Sequence, residues 1–86
     1  MRYYVYILRC ADNTLYTGMT IDIEQRIAAH NSGQGAKYTR GRGPVTLAYE
    51  EELPDKSAAL RREREIKRLT RAEKLLLLEG VMHNDA

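Results

Sequence analysis

Two tyrosine-bearing runs, Tyr4-Val5-Tyr6 and Tyr16-Thr17-Gly18, stand ten positions apart near the start of this chain, with the turn signal Asp12-Asn13 between them. That spacing reads as one β-hairpin. It brings two phenol groups beside a glycine on neighbouring strands. A phenol has an ordinary pKa of about 10, so it is a poor general base at neutral pH unless other groups converge on it. Arg26, His30 and Glu63 are the downstream groups able to do so.

The elements that must position these groups follow from the sequence pattern. Residues 2–10 (RYYVYILRC) are rich in β-branched and aromatic types and read as a strand, and residues 14–20 (TLYTGMT) read as a second. With residues 11–13 as a three-residue loop, Cys10 pairs with Thr14, Leu8 faces Tyr16, and Tyr6 faces Gly18 on the same side of the sheet. A two-residue loop would send Tyr6 and Tyr16 to opposite faces. Asp22 is a good helix N-cap, and Gln25 completes a capping-box pattern; that helix runs to about Asn31 and stops at Ser32-Gly33. Ile23 and Ile27 form its apolar stripe. Arg26 and His30, one turn apart, form a second stripe about 100° away around the axis.

Residues 33–44 (GQGAKYTRGRGP) hold four glycines, one proline and three cations and read as a loop. Residues 45–52 (VTLAYEEE) alternate apolar and polar, which predicts a third strand with Val45, Leu47 and Tyr49 on one buried face. Pro54-Asp55 opens a helix over about 56–68. Thr70-Arg71-Ala72-Glu73 is a capping box for a last helix, ended by Gly80. Taking Leu60 as zero at about 100° per residue, Ala59, Ile66 and Glu63 fall between about 240° and about 300°, whereas Glu65 falls near about 140°. Glu63 is therefore an acid within an apolar sector, and such a carboxylate must be paired, metal-bound or at the rim of a cleft. Glu65 reads as an ordinary solvent-facing charge.

The 86 residues suffice for one small domain over residues 1–86. Six tyrosines supply all the aromatic area, so Tyr3, Tyr4 and Tyr49 are expected to pack. A net charge of +2 is mild, but the charge is segregated: residues 50–55 carry four acids, and residues 56–74 hold eight basic groups against three acidic ones. That favours a polyanion-facing surface; a pair of solvated helices is the plainer alternative. A lone cysteine, Cys10, excludes an internal disulfide and a cysteine-rich zinc site. No apolar run approaches a membrane span of about 18 residues, and no signal peptide is evident, so the expected compartment is the cytoplasm.

These features together resemble the GIY-YIG nuclease superfamily, and in particular its small stand-alone bacterial members. Tyr4-Val5-Tyr6 takes the place of the first signature tripeptide and Tyr16-Thr17-Gly18 the second. Arg26 and His30 match positions on the family's first helix, and Glu63, in the run Ala59-Leu60-Arg61-Arg62-Glu63, matches its metal-binding glutamate. Tyr4 stands where the family usually has glycine, and Thr17 where it usually has an aliphatic residue. The resemblance covers about residues 3–70. With the pattern above it gives an α+β fold, a small three-stranded antiparallel sheet flanked by helices in the order β-β-α-β-α-α.

What the resemblance implies is a metal-dependent endonuclease hydrolysing DNA phosphodiester bonds. Tyr16 would take the proton of water, with Tyr6 hydrogen-bonded nearby. Arg26 would stabilise phenolate and grip a phosphate oxygen, and His30 would relay or position a proton. Glu63 would hold one Mg²⁺ or Mn²⁺, and Gly18 would leave space for the scissile phosphate. Each group also has a plainer reading. Tyr6 and Tyr16 suit an ordinary sheet, Arg26 can pair with Asp22, His30 suits a helix C-terminus, and Glu63 can pair with Arg26, Lys67 or Lys37. For backbone contacts with nucleic acid the candidates are Lys37, Tyr38, Arg40 and Arg42 in the loop, with Arg61, Arg62, Arg64, Lys67 and Arg68 as a second track. No base-reading element is present, so little sequence specificity is expected. DNA repair or recombination is a role carried by the resemblance alone. A binding module without turnover, and a subunit that docks a protein partner through an exposed stretch Glu50–Glu52, are the competing readings.

Overall fold

Asn13 turns the chain with φ 69°, a left-handed conformation that asparagine tolerates well. Cys10 donates its amide to the Thr14 carbonyl at 2.9 Å, and Asn13 donates to Cys10 at 2.8 Å. Asp12 accepts from both the amide and the hydroxyl of Thr14, at 3.1 and 2.6 Å. The loop is thus the odd-length one, and the register of the hairpin follows from it. The structure, a computed structural model, describes residues 2–34 and 41–80.

Strand β1 (Tyr3–Arg9) pairs antiparallel with β2 (Leu15–Thr20), placing Tyr6 opposite Gly18 and Leu8 opposite Tyr16. Strand β3 (Thr46–Leu53) pairs with the other edge of β1, giving the order β2-β1-β3. Helix α1 spans Ile23–Asn31, α2 spans Lys56–Lys67 and α3 spans Arg71–Leu78. The expected α+β order β-β-α-β-α-α is the observed one.

Alternation along β1 divides the core. Val5 and Ile7 pack with Tyr49, Ala59, Ile66 and Leu77 under α2 and α3. Tyr6, Leu8 and Cys10 pack with Val45, Tyr16, Ile23 and Ile27 under α1. The third strand departs from the expected pattern. Ile7 faces Tyr49 but Leu8 faces Leu47, so Ala48 is an extra residue, a β-bulge that switches the strand from one face to the other. Val45 and Leu47 therefore belong to the α1 face and Tyr49 to the α2 face, and Leu47 stays 37% exposed. Leu60 is 39% exposed, because the buried arc of α2 centres on Ala59 and Ile66.

Each helix begins on a side-chain cap. Asp22 accepts from the Gln25 amide, Asp55 from the Ala58 amide, and Thr70 with Glu73 forms the full reciprocal box. Asn31, at the end of α1, does what a strand neighbour would do. Its amide oxygen accepts from the Val45 amide at 2.7 Å, and its nitrogen donates to the Val45 carbonyl at 3.3 Å. That pair fixes where β3 begins. The expected acidic docking stretch is partly consumed: Glu51 accepts from Tyr49 and Arg62, and Glu52 is paired with Arg2. The same contact removes Arg62 from the second cationic track, since its guanidinium bridges Glu51 and Glu65.

Candidate active site beside the first hairpin

On the α1 face, the in-register placement of Tyr6 and Gly18 has a steric reason. A Cβ at Gly18 would lie 2.5 Å from the Tyr6 hydroxyl oxygen and 2.6 Å from Cζ. The Tyr6 ring thus lies across the empty place where a side chain would stand. Tyr16, diagonal to it, brings its ring centroid to 6.4 Å from that of Tyr6. Above them the polar flank of α1 delivers His30, whose ring lies 5.3 Å from Tyr16 and 6.1 Å from Tyr6. The Tyr6 hydroxyl and His30 Nε2 are 3.2 Å apart.

Burial separates the two phenols. Tyr6 is 1% exposed and His30 2%, whereas Tyr16 is half-buried, so of the pair only Tyr16 presents itself to an arriving molecule. Burial raises the Tyr6 pKa above that of an ordinary phenol, against the pull of a hydrogen-bonding approach by the Arg26 guanidinium. Burial, and secondarily the Arg26 charge, lowers the His30 pKa. At neutral pH the two are therefore a neutral phenol and a neutral imidazole. A guanidinium can only donate, so the Tyr6 oxygen accepts from Arg26, and its other polar neighbour is His30 Nε2.

Arg26 Nε is buried with no hydrogen-bond partner, and no ion pair joins Arg26 to Asp22 among the described residues. Glu63 is carried by α2, which packs against β2, β1 and β3 on the sheet face of Val5 and Ile7. Its charge is felt at the Tyr6 hydroxyl. The Glu63 side chain is 20% exposed, against 64% for Glu65, and its Oε2 lies 3.4 Å from Lys67 Nζ. Among the described residues no group of three or more histidines, cysteines or acids gathers as a ready-made metal cage. A lone, partly exposed carboxylate suits Mg²⁺ or Mn²⁺, which keep most of their waters and take the rest of their ligands from substrate phosphate; it does not suit zinc.

Tyr6, Tyr16, Gly18, Arg26 and His30 are thus brought together, with Glu63 alongside. The cations assigned to nucleic acid are scattered. Lys37, Tyr38 and Arg40 lie outside the described residues. Arg42 donates to Asp12 at 2.8 Å, and Arg61 donates to the Ser57 hydroxyl at 3.1 Å from an exposed face. Lys67 sits on Glu63. Asn31 escaped the sequence reading; its position at the end of a helix, with a strand expected some fourteen residues on, was its only signal.

Residues 2–75 match the family described as the GIY-YIG catalytic domain, a domain of nuclease type, and the chain belongs to this family. Its relatives carry the name UPF0213 protein. One from Staphylococcus haemolyticus is 55% identical over 78 residues, covering 91% of this chain and 95% of that protein. Another, from Natronomonas pharaonis, is 60% identical over 72 residues, covering 84% and 85%. The solution NMR structure of a UPF0213 protein from Bacillus halodurans superposes with a TM-score of 0.61 at 51% identity, over 92% of this chain and 84% of that one. Among the described residues no helix is long and apolar enough to cross a membrane.

Proposed function

We propose that the protein is a metal-dependent endonuclease that hydrolyses DNA phosphodiester bonds with low sequence specificity, using Tyr16, Arg26 and Glu63. The observation that carries this reading is the division between the tyrosines. Tyr6 is buried, and that burial keeps it a phenol, while Tyr16 stands half-exposed. Tyr16 takes a proton from water. Arg26 supplies the nearby positive charge that such a role needs and donates to a phosphate oxygen. Tyr6 and His30 fix the Arg26 guanidinium and exclude water from behind it. Gly18 is itself buried, and its missing side chain makes room for the Tyr6 ring, not for a phosphate. Glu63 holds a divalent ion, which when bound neutralises phosphoryl charge and assists the leaving oxygen.

The test is a cleavage assay on linear, nicked, flapped and branched DNA with Mg²⁺ or Mn²⁺. Tyr16→Phe, Arg26→Ala and Glu63→Ala are each expected to lose roughly a hundredfold or more in rate, with circular dichroism unchanged. Equal cleavage by all three variants would place the activity elsewhere. One observation favours a second reading, a nucleic-acid-binding module without turnover: the Lys67 ammonium already lies against the Glu63 carboxylate. That reading expects salt-sensitive binding, no cuts, and indifference to Glu63→Ala.

A further inference from the structure

The turn of the first hairpin gathers four cations from three separate parts of the chain. Arg9 Nη1 donates to the Asn13 side chain at 3.2 Å, and Arg71 Nη2 donates to the Asn13 carbonyl at 2.9 Å. Arg42 Nη1 lies 2.8 Å from Asp12 Oδ2. Lys74 and Arg71 line a shallow open cleft with Thr14 and Leu15. Asp12 is the one acid these contacts involve. Lys74 is half-buried and makes no ion pair among the described residues. Its ammonium has a pKa lowered first by burial and then by the charge of Lys67. Arg9, Arg71 and Lys74 drawn together around one acid repel one another, and an external anion relieves that repulsion.

We propose that this cationic collar around the β1–β2 turn binds the phosphate backbone of a nucleic acid. The open cleft suits a polyanion lying across the surface better than a small anion, which needs enclosing donors. Position supports this. Thr14 and Gly18 are four strand residues apart, about 13 Å, and Lys67 lies between the collar and the Glu63 carboxylate, ion-paired to the second and electrostatically coupled to the first. A backbone crossing the candidate active site continues along the outer edge of β2 onto Lys74 and Arg71. Only this direction of travel rests on the proposed nuclease function; the binding does not. Of the collar, the sequence singled out Arg42 alone.

Fluorescence anisotropy tests it, with labelled single-stranded DNA, duplex DNA and RNA of one sequence, in EDTA and in a Tyr16→Phe background so that strands stay whole. The double variant Arg71→Ala/Lys74→Ala is expected to bind about tenfold or more weakly, with a log–log salt slope shallower by about 2. The charge-keeping pair Arg71→Lys/Lys74→Arg should retain binding, which separates lost charge from lost structure. Lys56→Ala, at the far end of α2, should bind as the parent does. An unchanged affinity and slope in the double variant would overturn the proposal, as would a parent that binds none of the three probes at low salt. Cleavage is measured apart: a parent that binds but never cuts removes the nuclease reading and leaves the collar standing, and cutting with an unaffected double variant does the reverse.

Discussion

The two faces of the sheet are built from alternate residues of one strand, yet they are different materials. Val5 and Ile7 look onto hydrocarbon: Ala59, Ile66, Leu77 and the ring of Tyr49. Tyr6 looks onto an imidazole, a guanidinium and a glycine. Both faces are buried, but the first is held mainly by contact area, and the second adds a polar cluster around Tyr6 to the apolar packing of Leu8, Val45, Ile23 and Ile27. Close packing tolerates replacement of one apolar group by another of similar volume. The polar face tolerates little, because each member leaves its neighbour unsatisfied when removed. The candidate polar groups of this small domain thus gather mainly on the α1 face, with Glu63 supplied from α2.

Four experiments press on that division. Ile66→Ala, on the hydrocarbon face, is expected to cost about 2–5 kcal/mol, a fall in Tm of roughly 10 °C or more by calorimetry. Any protein left folded should keep the pH response of the polar face. Gly18→Ala is expected to cost about 1–3 kcal/mol by overpacking and to displace the Tyr6 ring. The ring shift is readable in aromatic NMR signals, and loss of cleavage should exceed what the Tm change explains. A tolerated alanine with full activity would show that Tyr6 does not need its present place.

The third concerns pH. The folded-state pKa of His30 lies below the usual 6.5. The unfolded chain therefore binds the proton more readily, and this part of the stability, full above pH 6.5, is lost as pH falls toward the folded value. Wild type is expected to lose more Tm between pH 7 and pH 5 than His30→Gln does, with a parallel decline as the contrary result. The smallest effect belongs to Lys67→Ala. An exposed pair one helical turn apart contributes about 0.3–0.5 kcal/mol, so urea midpoints should barely move, and Mn²⁺ affinity at Glu63 should rise as its competing cation is removed.

Local rules were readable from the sequence. The odd loop length set the register that brings Tyr6 to Gly18, because one residue more or fewer would have inverted a strand. Helix angles separated Glu63 from Glu65 correctly, as their exposures show. What escaped depended on chain partners distant in sequence. The extra residue at Ala48 is invisible in an alternating run, since a bulge is fixed by the neighbouring strand's pairing. Glu51 looked free for docking because Arg62 stands eleven residues away on another element. Arg71 reaches Asn13 from 58 positions along the chain, and no spacing rule joins it to Arg9. The placement of side chains on one element was legible; the meeting of elements was not.

The Asn31 clamp has a consequence for how such a chain can change. Because an amide side chain grips both backbone groups of Val45, β3 is seated by its anchor and not by the path that leads to it. A second tie, from Ala11 to the Arg42 carbonyl, secures the returning strand to the hairpin. Lengthening a tethered connection costs only about 0.6 kcal/mol per doubling. β3 is therefore seated at its entry, by Arg42 and Val45, so that a change of length in the chain ahead of Arg42 leaves the register of the sheet that supports the tyrosines in place.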